Sequence, residues 1–581
     1  VKKFTIVRVS NTEPLPAKTT LLDKGKTMQK RLSLVLACCI LSYPCMSSAA
    51  VTLVAVQTSP DSGPAVKNVA RIFSDQISCR CDAKVIVDGK APFAVELAIA
   101  PGLGVEGYEI ADGSAGSVRI LGNDNLGLLY GVGKFLRTSR YDQGGFTPGT
   151  WRGKSAPQCS FRAIYAATHF MNFYEAAPAE EVRQYTEELG LWGANVLIAG
   201  FPTWQLKDFD DPAAKKSLNH LRRLFCGARD AGMKVGLILC PNQGFASAPS
   251  ATRAAKYPDA LGRRGDLGVN CCPGKPEGHE YLMKLYGRLF DEFKDIGLDF
   301  LVCWPYDEGG CGCSNCWPWG VKGFPSMSRD LALLARNSHP HLKLVLSTWV
   351  YDTPPAGEWA GLAELLKKDG TWADAIMADA HEDFPRYPLE KGVPGGLPLV
   401  NFPEISMWGR GPWGAFGANP LPARLDRLWK QTQDKLSGGM PYSEGIYEDM
   451  NKVICFQRYW DKRQSAEQTL KEYAAFEYSP EVADNVLKLT RIFEETWSAS
   501  GPRTLEARQL VEQINQKLTP QAQKAWRWRI VYLRAVIDSE IFLHQGKQKG
   551  QALKTAFDEL RRIYHAEHAH PNVCVPTVVA E

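Results

Sequence analysis

The sequence predicts an α/β chain built on a (β/α)8 TIM barrel, preceded by a small α/β domain and followed by a helical C-terminal region. Three observations carry this. From Phe161 onward, short apolar runs alternate with helical stretches, eight pairs over about 300 residues, which is the size of such a barrel. No Gly-rich phosphate loop follows the first run, as an open doubly wound sheet would carry. Polar, acidic and aromatic residues recur just after each run, where barrels of this kind place their chemistry.

At 581 residues the chain exceeds one core, and two to four domains are expected. Residues 1–27 are polar, precede Met28 and read as an upstream extension from a misplaced start. Residues 28–50 read as a signal peptide: basic Met28-Gln-Lys-Arg31, apolar 32–41, then small Ser48-Ala49-Ala50. The apolar run is too short to cross a bilayer. Export to the periplasm or medium is expected, with no integral membrane span.

Residues 51–155 form the first unit. Strands are predicted over 51–56 and 93–99 and a helix over 62–76. Residues 117–137 read as strand, polar turn and helix, with small residues on one helix face for close packing. The Gly-rich stretch 144–155 closes the unit. The barrel is assigned 156–464, with strands over 162–167, 194–200, 234–240, 298–303, 343–348, 375–380, 397–402 and 439–442. Intervening helices are predicted over 179–191, 217–231, 279–296, 328–337, 422–436 and 452–462. Residues 465–581 are read as helical, over 465–478, 480–496, 505–512 and 521–544, with no legible role.

The most informative segment follows the fourth strand: Trp304-Pro-Tyr306-Asp307-Glu308-Gly-Gly310. Two adjacent carboxyls at a strand end, flanked by aromatics, suit a site where one keeps its proton near neutral pH. Glu308 is the candidate general acid, its acidity weakened by Asp307 and by the aromatic shell. Glycoside cleavage needs a second carboxyl across the scissile bond. Glu444, in Tyr442-Ser-Glu-Gly445, is slightly preferred over Glu404. Candidate substrate-binding residues at the strand ends are His169, Asn172, Trp204, Asn242, Tyr306, Trp349, Tyr351, Asp379, His381, Trp408 and Tyr442. With 16 Trp, many beside Gly and Pro, the chain is rich in rings that stack on sugars. A net charge of +5 without a Lys/Arg block argues against a nucleic-acid partner.

Cys311-Gly-Cys313-Ser-Asn-Cys316 follows the acid pair directly. It fits a structural zinc site with Cys271, Cys272 or Cys303 as fourth ligand, or equally one disulfide plus a free thiol. Cys79/Cys81 and Cys271/Cys272 are further disulfide candidates. No cofactor is expected to be required for catalysis, since three thiolates leave little room for water activation and no H-E-x-x-H occurs.

The run Ile120-Leu-Gly-Asn-Asp-Asn-Leu-Gly-Leu-Leu-Tyr-Gly-Val-Gly-Lys-Phe-Leu-Arg137 resembles the small domain before the barrel in family 20 β-N-acetylhexosaminidases, shared with α-glucuronidases and α-N-acetylglucosaminidases. That resemblance implies that Asp307 orients a substrate 2-acetamido group and that Glu308 is the general acid/base. The His-x-Gly-Gly that precedes Asp-Glu in that family is here Cys303-Trp-Pro-Tyr306. The cysteine loop and Tyr442-Ser-Glu-Gly445 look more like family 163 endo-β-N-acetylglucosaminidases, where two separated Glu residues would act. The expectation is an exported retaining glycosidase on β-linked N-acetylglucosamine-type glycosides, including N-glycans. The alternatives are an α-glucuronidase-like enzyme, with Arg410 or Lys452 binding the uronate, and a catalytically silent sugar-binding barrel. A structural envelope protein is disfavoured by the acidic rim.

Overall fold

The computed structural model describes residues 50–566, except 115, 169–172, 257–267, 307–308, 354, 381–382, 406–411, 415, 433, 444 and 498–500. The predicted signal peptide and the candidate residues His169, Asn172, Asp307, Glu308, His381, Trp408, Arg410 and Glu444 lie outside the described residues.

The first unit is a six-stranded sheet. Its strands are β1 (Leu53–Thr58), β2 (Lys84–Val87), β3 (Phe93–Ile99), β4 (Tyr108–Asp112) and β5 (Ser117–Gly122), with β6 (Arg140–Asp142) and β7 (Gly145–Thr147) paired separately and β8 (Gly153–Ser155) at the edge. The spatial order is β2-β1-β3-β5-β4-β8. Helices α1 (Pro64–Ser78) and α2 (Asn125–Arg137) supply apolar faces to the core, Phe73, Leu128, Val132 and Phe135 being fully buried. Asp124 caps α2 by accepting from Gly127 N–H at 2.9 Å. The small face predicted for α2 has a use: a Cβ on Gly133 would lie 2.1 Å from the Leu191 carbonyl, so glycine lets α2 sit against the first barrel helix. Arg162, wholly buried, joins the two units. It pairs with Glu106 and donates to the carbonyls of Gly193 and Cys159, each at 2.6 Å.

The barrel closes as predicted. Its strands are β9 (Phe161–Ala166), β10 (Val196–Gly200), β11 (Lys234–Leu239), β12 (Phe300–Cys303), β13 (Lys343–Ser347), β14 (Ala375–Ala380), β15 (Leu399–Pro403) and β16 (Leu436–Gly439), all parallel, with β16 returning to β9. Inward-facing Phe161, Val196, Ile198, Phe300, Val302, Val345, Met377, Val400 and Phe402 fill the interior. Each strand is one apolar run because parallel barrel strands are buried on both faces.

The eighth strand departs from expectation. It runs Leu436–Gly439 rather than over 439–442, because Gly438-Gly439 reads as a turn but here makes the closing register. The pairing slips between Leu399 and Val400, and Gly438 takes φ +140. A helix over Glu358–Lys368 and a final helix, Gln551–Ile563, were not anticipated, and the helix expected over 521–544 breaks into Pro520–Lys524 and Trp526–Leu543. Among the described residues no helix is long and apolar enough to cross a membrane.

Gly438→Ala is expected to destabilise the fold by about 3 kcal/mol or more, read by chemical denaturation. A Cβ there would lie 1.7 Å from the Phe161 carbonyl at the barrel seam. Wild-type stability in that variant would contradict the seam as described.

Candidate active site

The strand ends converge on an aromatic floor. Trp304, just past β12, lies 4.9 Å centroid to centroid from Trp349, past β13, and 5.1 Å from Phe402 on β15. Phe402 contacts Tyr165 at 5.8 Å and Tyr442 at 5.7 Å, and Tyr165 contacts Tyr442 at 5.4 Å. Trp304, Trp349 and Tyr442 are half-buried, so each combines a packed edge with accessible surface. Trp304, Tyr165 and Phe402 were not named as binding residues from the sequence. Alternation along β9 and β15, with Tyr165 and Phe402 in phase with inward positions, was the signal available. Asp379 is half-buried near the end of β14, and Trp204 is half-buried in the turn Thr203–Gln205 after β10.

Glu404 sits where β15 ends, 7% exposed, and its backbone bridges to Tyr442 after β16. Its N–H donates to the Ala380 carbonyl at 3.2 Å and its own carbonyl accepts from Arg424. The loops after β14, β15 and β16 are therefore tied edge to edge at the rim.

Three predicted binding residues are turned into the wall instead. Asn242 is fully buried. Its amide donates to the carbonyls of Cys271 (3.0 Å) and Gly310 (2.8 Å) and accepts from Gly310 N–H (2.9 Å). Tyr306 donates to Glu358, which also accepts from Gly320 N–H at 2.8 Å, and Tyr351 donates to the Gly320 carbonyl at 2.7 Å. These side chains hold the backbone on either side of Asp307-Glu308: Tyr306 and Gly310 are both pinned.

The loop after β16 is pinned by charge. Lys452, on the helix Asp449–Trp460, is 1% exposed. Its three donors go to Tyr174 Oη (2.9 Å), Tyr185 Oη (2.8 Å) and the Gly445 carbonyl, and Glu448 lies 3.4 Å away. Burial works to lower the ammonium's pKa, but Tyr174 and Glu448 outweigh it, and the pKa is raised. Lys452 is thus no uronate ligand: its charge is spent inside the protein. Glu448 accepts in turn from Ser443 Oγ and, at 3.3 Å, from Gly445 N–H. The residues flanking Glu444 are both fixed by this cluster. A Cβ on Gly445 would fall 2.2 Å from Tyr564 Oη, so the glycine admits a C-terminal aromatic that stacks on Tyr447 at 4.4 Å.

The network continues outward. Tyr185 and Tyr473 donate to Asp449 at 2.9 and 2.6 Å, and Arg527 donates to the same carboxylate at 2.9 Å. Burial works to raise the Asp449 carboxyl, yet Arg527, Tyr473 and Lys452 hold it below its ordinary range. Arg534, fully buried, pairs with Asp538 and donates to the Ala418 carbonyl at 2.8 Å, while Trp413 donates to Asp538 at 3.1 Å. The helix Trp526–Leu543 therefore braces the loops after both β15 and β16, a role the sequence did not disclose.

Among the described residues no cysteine is bridged to another, Cys79/Cys81 and Cys271/Cys272 included. The sulfurs of Cys272, Cys311, Cys313 and Cys316 lie within 4.8 Å of one another.

No family model and no curated protein matches this chain. Solved structures do match. A family 115 4-O-methyl-α-glucuronidase with specificity for decorated arabinogalactans is similar over 90% of this chain and 76% of its own, at TM-score 0.59 and 11% identity. A family 89 glycoside hydrolase from Clostridium perfringens, solved with GlcNAc-α-1,4-galactose, is similar over 86% of this chain and 64% of its own, at TM-score 0.58 and 10% identity. A family 20 exo-β-N-acetylglucosaminidase from Vibrio harveyi overlaps less, with TM-score 0.48 and 10% identity over 74% of each chain. The chain has the fold of barrel glycosidases, with the small α/β domain ahead of the barrel and helices behind it.

Lys452→Met should cost about 3–5 kcal/mol in chemical denaturation, because it leaves Glu448 buried without its cation. Adding Glu448→Gln should then cost less than in the parent, and strictly additive losses would refute the pairing.

Glu175, on the helix Phe173–Ala176, lies 3.7 Å from His220, which hydrogen-bonds the Tyr174 carbonyl at 2.6 Å. Burial pushes the Glu175 carboxyl up to about 7, against Lys216 and Arg223, and pushes His220 down. A folded pKa above the unfolded value means that this stability is whole below about 4.5 and is lost as pH rises through about 7. Glu175→Gln should flatten stability between those pH values and exceed wild type at pH 8 by at most about 3 kcal/mol. An unchanged slope in that window would show that Glu175 does not titrate there.

Proposed function

We propose that this chain is a retaining glycoside hydrolase acting on β-linked N-acetylglucosamine-type glycosides, glycoprotein glycans included. The observation that carries the reading is the rim itself. Trp304, Trp349 and Tyr442 form a half-open aromatic floor between the β12 loop, whose next residues are Asp307 and Glu308, and the strand ends that lead to Glu404 and Glu444. Pyranose faces are apolar and stack on such rings. Carboxyls on opposite sides of a bound sugar are the requirement for glycoside cleavage.

In this reading Glu308 protonates the leaving oxygen. Asp307 either orients the 2-acetamido group, which attacks the anomeric carbon, or stands aside while Glu444 or Glu404 is the nucleophile. Pinning of Tyr306 and Gly310 supports Glu308 as the acid, because a general acid must be held within hydrogen-bond reach of one oxygen. The protein is read as exported, on the strength of residues 28–50.

An α-glucuronidase-like activity is the second reading. It is favoured by the family 115 neighbour and weakened by the burial of Lys452, which leaves Arg410 as its cation.

Glu308→Gln should lower turnover on the cleaved glycan by two to four orders of magnitude with an unchanged melting temperature. The assay is release from aryl β-N-acetylglucosaminides and an N-glycan panel, with glucuronosyl substrates alongside. Cleavage only of the last would establish the second reading. Full activity in Glu308→Gln would remove the general acid.

A further inference from the structure

We propose that Cys272, Cys311, Cys313 and Cys316 hold a structural zinc ion that clamps the loop bearing Asp307 and Glu308. The four sulfurs lie within 4.8 Å of one another, with Cys272 to Cys313 at 3.6 Å and Cys272 to Cys316 at 3.9 Å. A tetrahedral zinc with Zn–S of about 2.3 Å places its sulfurs roughly 3.8 Å apart. A disulfide requires about 2.05 Å. The observed spacing is that of ligands around one ion.

The surroundings are built for it. Cys316 N–H and Trp317 N–H donate to the Cys313 carbonyl at 3.0 and 2.9 Å, the turn that brings two sulfurs of a C-x-x-C pair to one side. Ala255 N–H points at Cys311 Sγ from 3.4 Å, the kind of donor that stabilises a thiolate ligand. Cys272 arrives from a distant segment, and beside it a Cβ on Gly274 would lie 3.0 Å from Cys316 Sγ and 2.9 Å from Asn315 Cβ. Glycine there leaves the sulfurs their room. Four thiolates around Zn²⁺ leave two negative charges. Lys275 and Lys322 are anchored on the carbonyls of Arg253 (3.1 Å) and Ser314 (3.3 Å), which keeps two cations near. Cys272, Cys311 and Cys316 are buried, while Cys313 is half-exposed and offers the entry path.

Four sulfur ligands close the coordination sphere, so the ion takes no part in chemistry. Binding displaces up to four thiol protons and involves no oxidant. Its consequence is mechanical. Gly310, adjacent to Cys311, is already held by Asn242. With Cys311 ligated, the chain leaving the acid pair is fixed at two successive residues. The effect on activity rests on the proposed glycosidase reading, whereas metal content does not.

The test is metal analysis of the full chain purified without chelator, together with thiol titration. About one zinc per chain is expected, lost in Cys272→Ser and Cys313→Ser but kept in Cys271→Ser, whose sulfur faces Thr252 and the Val269 carbonyl. Should a variant fail to fold, the wild type decides: a strong chelator should release one zinc per chain, make four thiols reactive and lower the melting temperature, with zinc and not magnesium restoring it. Absence of bound metal, iron in place of zinc, or four cysteines missing from the titration as two disulfides would each overturn the proposal. Zinc present with no glycosidase activity would leave the clamp standing and remove only the function.

Discussion

Lys452 carries its charge where water does not reach, and much of the candidate cleft is arranged around that fact. A lone buried ammonium costs many kcal/mol, so each of its donors must find an acceptor and its charge a counterion. The acceptors come from the two ends of the barrel. Tyr174 follows β9, Tyr185 lies on the first barrel helix, and Gly445 and Glu448 follow β16. Removing Glu448 strands the charge and removing either tyrosine strands a donor, so the first and last strand–helix units are tied together and Ser443, Gly445 and Glu448 are held in place. Through Tyr185 the constraint passes to Asp449, which needs Arg527 as its own counterion. Arg527 belongs to the C-terminal helices. Those helices are thereby part of the barrel's electrostatic balance.

The opposite wall is held around a buried carboxyl group, Glu358. Tyr306, Glu358, Gly320 and Tyr351 form one hydrogen-bonded unit beneath the β12 loop, and Asn242 grips Gly310 from both sides. An amide can do this because it offers donors and an acceptor at once, matching a backbone N–H and C=O. The aromatic floor lies between the two walls. Trp304 packs edge-on against Phe402, Tyr442 is tilted against Phe402 and Tyr165, and Trp349 is tilted on Trp304, contacts that set the rings' orientation while leaving them half-exposed. A sugar ring placed there would meet a preformed surface rather than one that must be ordered on binding.

The sequence made some of this legible and hid the rest for physical reasons. Seven of the strands were visible because parallel barrel strands are short continuous apolar runs. The eighth, Leu436-Ser-Gly-Gly439, was displaced because glycine removes the apolar signal at the place where the barrel seam needs no side chain. Trp349 and Tyr442 were legible as rim residues, and Tyr306 and Asn242 were legible as positions, though whether a polar side chain at a strand end faces the cleft or the wall depends on partners such as Glu358 that lie far off in sequence. Cys311, Cys313 and Cys316 announced themselves by spacing. Cys272 was one of three candidates until the fold brought it to the others. Lys452 misled because a lysine after a strand reads as exposed, and only the convergence of Tyr174, Tyr185 and Glu448 reverses that reading.

General acid catalysis tolerates little error in placement, since a displacement of about 1 Å can cost a hundredfold in rate. The loops that carry the candidate carboxyls are secured by different means: the hydrogen bonds of Tyr306 and Asn242 after β12, the Arg534–Asp538 pair and Trp413 after β15, and the Lys452–Glu448 pair after β16. None of these groups needs to touch a substrate. The division suits a barrel whose strands offer only attachment points at their ends, because a loop leaving a strand inherits position at one residue and must acquire the rest from neighbours. The C-terminal helices supply part of what the strands lack. Their Arg527, Arg534, Asp538 and Tyr564 reach the two loops where the second carboxyl is sought, so the part of the sequence with no legible chemistry of its own serves as scaffold for the cleft.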